Sequence, residues 1–444
     1  MNTSVCIIGA GASGIAVAKT LHQYGIAFDC FERGSGIGGN WRYNNDNGMS
    51  SAYRSLHINT NRIVMAYSDY PMPQSYPMFP HHSQIIRYFD SYVDHFGFRD
   101  TITFQTEVTD VRREDDGKSG QTYRVKTRAV NTGKTDERTY THLIVANGHH
   151  WNPRLPDPPF PGQFAGETIH SHDYKEPEQI RGKRLLVVGM GNSAVDIACE
   201  AARQHAGSVT VSSRSGAYIL PNWLMGMPFD SLASPLTAKL PMPLQRLLLK
   251  VSLRLAHGNQ ENYGVPRPNR PLLMEHPTIS QDLLNMAGRG LIGFKPNIER
   301  FEGHDVVFTD GTRDSFDMIV YATGYKVTFP FFRDDFFNVE QTNDLQLYRR
   351  VVHPDFTGLY FVGLVQPLGA IMPLAEIQAV WLAKLIKDEV CLPNRVTMLQ
   401  SIDAETAKVR RRYQQSARHT LQVDFHPYRQ SIEREMRTMQ ARPQ

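Results

Sequence analysis

Two glycine-rich stretches, GAGASG at residues 9–14 and GMGNSA at residues 189–194, have residue types and a spacing that suit phosphate binding. Small residues in such a turn let the backbone approach a pyrophosphate closely. The helix that follows offers its first N–H groups and its positive dipole end to the phosphates. Two such stretches in one chain predict two dinucleotide sites.

The elements around the first stretch are those of a complete dinucleotide site. An apolar run at residues 4–8 predicts a buried strand, IAVAKTLHQYG predicts a helix, and AFDCFER predicts a second strand. That strand ends in Glu32, 18 residues after Gly14, where a carboxylate accepts hydrogen bonds from a ribose. Within the turn, Gly9 permits the bend, Gly11 the approach of the pyrophosphate, and Gly14 close packing of helix on strand.

A second glycine-rich turn, GIGGNW at residues 36–41, follows Glu32 closely. Its small residues let the chain wrap a longer cofactor, and two-dinucleotide flavoproteins have such a turn at their FAD site. We therefore predict FAD at the first site, in contact with Gly38, Gly39, Asn40 and Trp41.

The second stretch differs from the first in the residues that end its second strand. A buried-strand run at residues 184–188 leads into the turn, DIACEAARQ predicts the helix, and VTVSS predicts the next strand. Ser212, Ser213 and Arg214 stand where the first site has its acid. A carboxylate there would repel a 2′-phosphate, whereas hydroxyls and a guanidinium bind one. The second site is therefore predicted to prefer NADPH to NADH.

Two more passages from an apolar strand into a small-residue turn, at residues 142–148 and 317–325, mark where the chain crosses between nucleotide domains. We predict an α/β fold with two Rossmann-like dinucleotide-binding domains, the NADPH domain being inserted into the FAD domain. The predicted ranges are 1–155 and 323–444, with C-terminal helices, for the FAD domain and 156–322 for the NADPH domain.

Composition limits the classes of function. Apolar residues make up 41% of the 444 residues and charged residues 21%, as in ordinary soluble proteins, and a net charge of +4 is well short of a nucleic-acid-binding signature. The four cysteines form no C-x-x-C pair, so neither a metal knuckle nor a redox dithiol is indicated. A reducing, cytoplasmic setting is predicted. The histidine pairs at 81–82 and 149–150 are interpreted as structural or surface residues, and no metal site is expected.

The most hydrophobic later segment, LQRLLLKVSLRLA at residues 244–256, is interrupted by Arg246, Lys250 and Arg254. It is too short and too charged to span a bilayer. We expect it to pack in the core or in a dimer rather than on a membrane surface, because its charges are few and scattered. The sequence predicts neither a signal peptide nor an integral membrane segment.

Over nearly its whole length the chain resembles the flavin-containing monooxygenases. The resemblance is carried by GAGASG, IGGNW, GMGNSA with SSRSG, ENYG at 261–264, YATGY at 321–325 and GLVQPLGAIMP at 363–373. It implies further cofactor contacts, which come from Ser13, Gly189, Gly191, Asn192, Ser193, Thr323, Gly324 and Gln366. The chain lacks the hydrophobic C-terminal tail of the membrane-bound animal members, which implies a bacterial-like enzyme.

The stretch FAGETIHSHDY at residues 164–174 resembles the family fingerprint F-x-G-x-x-x-H-x-x-x-[YF], which is matched by Phe164, Gly166, His170 and Tyr174. The related Baeyer–Villiger enzymes end this motif in Trp, so Tyr174 favours the branch that oxidises heteroatoms. The resemblance implies that this segment links the two domains and couples NADP binding to their position.

The resemblance also implies a catalytic residue, Asn61, near the reactive edge of the flavin, with Thr60 beside the nicotinamide. An amide can both donate and accept hydrogen bonds there. On the residues alone, the better explanation is that Asn59 and Asn61 cap a turn before a short helix; the resemblance favours the active-site role.

The implied activity is an FAD- and NADPH-dependent monooxygenation with O2, through a C4a-hydroperoxyflavin, of a small amine, sulfide or indole-like substrate. A homodimer is expected by the same resemblance. Baeyer–Villiger oxidation of ketones is the alternative, and a flavin NADPH oxidase or reductase a more distant one. A disulfide reductase would need a dithiol that the sequence does not contain, and intact motifs at both sites argue against a non-catalytic redox sensor.

Overall fold

The computed structural model describes residues 3–115, 121–204, 206–232, 234–235, 237–274, 277–333, 336–337, 345–412 and 421–438. Its α-helices are α1 (Ala12–Gln23), α2 (Arg62–Met65), α3 (His82–Phe96), α4 (Asn192–Arg203), α5 (Met242–His257), α6 (Leu283–Gly288), α7 (Met372–Ile386), α8 (Arg395–Arg412) and α9 (Phe425–Thr438). Its strands are β1 (Val5–Ile8), β2 (Phe28–Phe31), β3 (Ile102–Thr103), β4 (Thr106–Asp115), β5 (Gln121–Ala129), β6 (Thr135–Tyr140), β7 (His142–Val145), β8 (Asn152–Pro153), β9 (Gly162–Phe164), β10 (Glu167–His170), β11 (Arg184–Val188), β12 (Ser208–Ser212), β13 (Ile219–Leu220), β14 (Trp223–Leu224), β15 (Met227–Pro228), β16 (Thr278–Ile279), β17 (Gly293–Lys295), β18 (Ile298–Gly303), β19 (Asp305–Phe308), β20 (Arg313–Ser315), β21 (Met318–Tyr321), β22 (Tyr325–Lys326), β23 (Leu359–Phe361), β24 (Gln366–Leu368) and β25 (Gln422–Asp424).

The chain divides into two compact units, one inserted in the other. The first unit comprises Met1–Ala52, Leu56–Asn152 and Lys326–Gln444, and the second Tyr53–Ser55 and Pro153–Tyr325. In the structure the chain passes between the units after residues 152 and 325, within three residues of the predicted boundaries after 155 and 322. The three residues Tyr53–Ser55 were not expected in the second unit.

The first unit is built on a parallel sheet of strand order β23-β7-β1-β2-β3. All four residues of β1 are buried, since both faces of the sheet are covered. Val5 and Ile7 face a core shared with α1, α3 and α7. Cys6 and Ile8 face the other core, where the antiparallel strands β4 and β5 pack with phenylalanines such as Phe361.

The second unit repeats this arrangement with the order β10-β21-β11-β12-β17, again all parallel. On one face, Leu186 and Val188 of β11 pack against Phe301 and Phe308 of the neighbouring sheet formed by β20, β19, β18 and β9. Helix α4, which follows β11 directly, buries Ala194, Val195, Ile197 and Ala198. The predicted fold class, α/β with two Rossmann-like domains and one inserted in the other, is confirmed.

Both glycine turns lie where the strand order of their sheet reverses, which is where parallel sheets bind nucleotides. Gly9 follows β1 with φ +97°, and a Cβ there would lie 2.8 Å from the carbonyl oxygen of Ala146, just past β7. Gly189 follows β11 with φ +125°, and a Cβ there would lie 2.5 Å from the carbonyl oxygen of Ala322, just past β21. Each turn therefore requires glycine for both its backbone conformation and its packing.

We expect Gly14→Ala to lower the free energy of unfolding by about 2 kcal/mol, because its Cβ would lie only 1.9 Å from the carbonyl oxygen of Gly9. Alanine is better than glycine in a helix by about 1 kcal/mol, so propensity alone predicts the opposite sign. Urea unfolding measures the change. Gly11→Ala is the control, since the nearest heavy atom to its Cβ, Gly39 Cα, is 3.7 Å away. Equal midpoints for the two variants would contradict the packing argument.

Candidate functional site

The start of helix α1 has the features of a phosphate site. Gly11 is its N-cap residue, and no side chain caps the helix. The predicted contact residues Gly38 and Gly39 belong to a turn that packs on this one, since a Cβ on Gly39 would lie 3.1 Å from Gly11 Cα. Trp41 ends that turn and packs against the core. The fold thus brings the two glycine turns together at the start of α1.

Glu32 is buried at the end of β2, and its carboxylate holds the turn. Oε2 accepts a hydrogen bond from the Ala10 N–H at 2.8 Å, and Oε1 accepts from the Gly34 N–H at 2.7 Å and from Asn47 Nδ2 at 3.2 Å. A carboxylate has about four lone-pair sites, so it can still accept from a ribose hydroxyl. The donors and acceptors of this turn fit the pyrophosphate and ribose of FAD.

The C-terminal part of the chain also reaches the first turn. A Cβ on Gly363 would lie 1.9 Å from Oγ of Ser13. The Gly363 N–H donates to Oε1 of the fully buried Gln378 at 2.9 Å, and Gln378 Nε2 donates to the Tyr428 hydroxyl at 2.6 Å. Gln378 was missed from the sequence because nothing distinguishes a glutamine in the middle of helix α7. Gln366, a predicted contact, begins β24 and is half-buried.

The side chains of Asn40 and Asn61 both accept hydrogen bonds from backbone N–H groups. Asn40 Oδ1 accepts from the Ser51 N–H at 2.7 Å. Asn61 is fully buried, and its Oδ1 caps helix α2 by accepting from the N–H groups of Ile63 at 3.0 Å and Val64 at 3.2 Å. The capping interpretation of Asn61 is therefore correct for Oδ1. The neighbouring Thr60 is half-buried.

Helix α4, which follows the second glycine turn, also begins without a side-chain cap. Its N-cap residue is Gly191. Asn192 Oδ1 accepts from the Ile279 N–H at 2.8 Å, and Thr278 Oγ1 donates to the Met190 carbonyl at 2.6 Å. Strand β16 therefore supports the turn, a role that its short sequence does not signal. The predicted contact Ser193 is half-buried.

The three residues at the end of β12, Ser212, Ser213 and Arg214, are not equivalent. Ser212 is buried, and its Oγ donates to the Pro296 carbonyl at 2.7 Å. Ser213 Oγ accepts from the Gly216 N–H at 3.1 Å and keeps its own proton to donate. Arg214 is exposed. Of the three, Ser213 and Arg214 have a side chain that an anion can reach.

The fingerprint segment is part of the second unit's sheet rather than a linker. Phe164 ends β9 and packs against Phe301, and Gly166 precedes β10, where a Cβ would lie 2.5 Å from the Asp317 carbonyl oxygen. His170 ends β10, is buried, and lies 5.3 Å from the Tyr325 ring. Burial lowers the pKa of His170 to about 4, so the imidazole is neutral at pH 7.

Tyr174, the last fingerprint residue, belongs to a buried group of tyrosines and carboxylates on helix α4. Its hydroxyl donates to Glu200 Oε2 at 2.6 Å, and the Tyr53 hydroxyl donates to Asp196 Oδ2 at 2.6 Å. The two carboxylates are one helical turn apart. Burial raises the pKa of Asp196 to about 6. Sequence analysis missed Tyr53, Asp196 and Glu200; the i, i+4 spacing of the two acids was the available signal.

The segment Tyr53–Ser55 is held in the second unit by a second contact. Arg54 NH2 donates to Glu178 at 2.6 Å, its NH1 to Glu176 at 3.2 Å, and its N–H to the Lys175 carbonyl at 2.8 Å. These acids directly follow the fingerprint. The fingerprint is thus joined by side chains to a part of the chain far away in sequence.

Thr323 and Gly324 follow β21, the strand beside the second turn. The Thr323 hydroxyl donates to the Arg154 carbonyl. Gly324 has φ +89°, and a Cβ there would meet no atom within 4 Å. Open space beside Gly324 is compatible with a ligand.

In the described ranges, no group of three or more His, Cys, Asp or Glu residues could hold a metal ion. The four cysteines are free. Nor does any helix in this part of the chain combine the length and apolarity needed to cross a membrane.

Comparison with known proteins identifies the family of this chain. The model of the family described as flavin-binding monooxygenase-like matches residues 2–444. Flavin-containing monooxygenase 5 of Rattus norvegicus is 37% identical over 433 residues, which cover 95% of this chain and 80% of the rat protein. The structure of S-allyl-L-cysteine S-oxygenase from Allium sativum is similar with a TM-score of 0.72 and 25% identity, covering 99% of this chain and 90% of that one.

The fold also matches a more distant structure, the OTEMO complex with FAD and NADP. That match has a TM-score of 0.71 and 18% identity and covers 97% of both chains. The chain belongs to the flavin-binding monooxygenase-like family and is an NADPH-dependent flavin monooxygenase that uses FAD.

Proposed function

We propose that this enzyme uses O2 to oxygenate a nucleophilic nitrogen or sulfur atom of a small molecule. The observation that carries the proposal is the pair of glycine turns, each before a helix of 12 residues whose start no side chain caps. Bound FAD would supply the oxygen chemistry, with NADPH as the source of hydride. The chain has to bind, orient and shield these groups.

In this proposal the first unit binds FAD and the second binds NADPH. The support for FAD is the acidic Glu32 at the end of β2, together with the second glycine turn at residues 38–41. The support for NADPH is the combination of Ser213 and Arg214 after β12, where an anion would find a hydroxyl and a guanidinium. Ser212 supports the loop through Pro296 and contributes no hydroxyl to the cofactor.

Asn61 is the residue to which we assign a catalytic role. Because its Oδ1 is used by helix α2, its function toward the reacting oxygen is donation from Nδ2. The helix cap fixes the orientation of the amide, so the donor is pre-organised before a ligand binds.

The proposed substrate class rests on the family and on the names of three similar proteins. The Allium sativum protein is an S-oxygenase of S-allyl-L-cysteine, and two relatives are named as N-oxide-forming dimethylaniline monooxygenases. The fingerprint of this chain ends in Tyr174, the form that goes with heteroatom oxidation. Amines and sulfides are therefore preferred to ketones as substrates.

A stopped-flow experiment tests the function. The FAD-loaded protein is reduced with NADPH without oxygen and then mixed with oxygenated buffer, and the flavin spectrum is followed. We expect the oxidised spectrum to return slowly, and to return faster when an amine or a sulfide is added. Immediate return with release of hydrogen peroxide would indicate an NADPH oxidase, and acceleration by a cyclic ketone alone would indicate Baeyer–Villiger oxidation.

A cytoplasmic homodimer is part of the proposal. Cys6, Cys30 and Cys199 are buried free thiols, and Cys391 is an exposed one, as expected in a reducing compartment. The dimer is implied by the family resemblance, and sedimentation velocity measures it directly.

We expect Gly11→Ala to fold like the wild type but to bind FAD at least about tenfold more weakly. The added methyl group packs without a clash in the protein, yet it occupies the side from which a pyrophosphate approaches. Titration of the apoprotein with FAD, followed by flavin fluorescence, gives the dissociation constant. Unchanged affinity would mean that the pyrophosphate does not pass Gly11.

We expect Asn61→Ala to retain reduction by NADPH but to lose most of the oxygenated product per NADPH consumed. Loss of the helix cap alone costs about 1 kcal/mol of stability, so a second variant is needed. Asn61→Asp keeps the capping oxygen and lacks the NH2 donors. If Asp restores the product yield, the cap rather than the donor is what matters, and the catalytic assignment is wrong.

We expect Arg214→Ala to raise the KM for NADPH about tenfold or more while leaving the KM for NADH nearly unchanged, because only NADPH carries the 2′-phosphate. Ser212→Ala is the matched control, since it removes the hydroxyl bonded to Pro296 and should affect both cofactors alike. Steady-state kinetics with both cofactors decide the matter. If Arg214→Ala changes the KM values for NADPH and NADH equally, Arg214 does not recognise the 2′-phosphate.

A further inference from the structure

Helix α5 carries two apolar faces, and one of them is packed against other described residues of the second unit. Leu253 on the inner face is buried with Leu220 and Leu272, and Leu249 packs against them. The sequence analysis expected the whole segment to be covered in a core or a dimer. In the structure the opposite face is open to solvent.

The open face is a continuous stripe, called here the α5 stripe. Its five residues are 40% to 80% exposed, and they are Leu244, Leu247, Leu248, Val251 and Leu255. Their spacing of i, i+3, i+4, i+7 and i+11 places them within about 100° of the helix circumference. Single exposed leucines are common on protein surfaces, but five in one stripe form an apolar patch that calls for a partner.

The charges of α5 indicate what kind of surface covers the stripe. The helix contains Arg246, Lys250 and Arg254 and no acidic residue. Lys250 and Arg254 are exposed and lie along one edge of the stripe at the helical period. An apolar stripe beside a cationic edge is complementary to a surface that is apolar inside and negatively charged outside.

A second copy of the chain fits this face less well. Pairing of two α5 helices about a two-fold axis presents the same patch on both sides, so the cationic edge of each copy has no acidic counterpart on the α5 of the other. Like charges held close together weaken such a contact, whereas phospholipid headgroups with net negative charge strengthen it.

We propose that the α5 stripe docks on an anionic lipid surface, with the helix lying in the plane of the interface and its leucines in contact with the acyl chains. Lys250 and Arg254 contact the headgroups. This attachment is peripheral and reversible, and it is independent of the reaction proposed above.

Sedimentation of the FAD-loaded, full-length protein with vesicles tests this proposal. We expect binding to phosphatidylcholine vesicles that contain phosphatidylserine, weaker binding to pure phosphatidylcholine, and weakening by added salt. Leu248→Glu combined with Val251→Glu should reduce binding more than tenfold. Lys250→Gln and Arg254→Gln should each reduce it about fivefold.

Val396→Glu is the matched control, because Val396 is also an exposed apolar residue on a helix, at 62% exposure on α8. It should bind vesicles like the wild type. Absence of binding to phosphatidylserine vesicles, or equal binding by the Leu248/Val251 variant and the control, overturns the proposal. Sedimentation velocity without lipid tests the alternative partner, a second copy of the chain. If the wild type is an oligomer and the Leu248/Val251 variant is a monomer, the stripe is an interface between copies and the proposal is wrong.

Discussion

The close approach of each nucleotide turn to the strand beside it is the constraint on which the rest of the structure depends. Gly9 and Gly189 bring backbone against the carbonyl groups of Ala146 and Ala322, at distances that no side chain would allow. This contact places the first N–H groups of α1 and α4 at the point where the strand order of each sheet reverses. The geometry of the two candidate phosphate sites therefore depends on the packing of small residues.

Carboxylates near these turns accept hydrogen bonds that join separate segments of the chain. Glu32 accepts from the backbone N–H groups of Ala10 in the first turn and Gly34 after β2, while Asp196 and Glu200 on α4 accept from the Tyr53 and Tyr174 hydroxyls. Buried acids are stable only when such donors surround them. The fingerprint residue Tyr174 therefore has a structural role. Its hydroxyl supplies the hydrogen bond that the buried Glu200 carboxylate on α4 requires.

Sequence reasoning was sufficient for the parts whose signal is local. The turns, the strands before them and the position of Glu32 can be inferred because neighbouring residues act together in one strand–turn–helix unit. The same reasoning failed to separate Ser212 from Ser213, since burial depends on Pro296, a residue far away in the chain. It also treated the fingerprint as a linker, because the pairing of β10 with β21 joins residues about 150 positions apart.

The sequence by itself determined the fold class and the two cofactors, because glycine spacing and strand periodicity are properties of short segments, and it indicated the family through the resemblance of its motifs. Only the tertiary structure decided which side chains support the turns, that Tyr53–Ser55 belongs to the second unit, and that one face of α5 is left open. These features depend on contacts between segments distant in sequence. A pattern along the chain shows that a residue is apolar or acidic, and the fold determines what it meets.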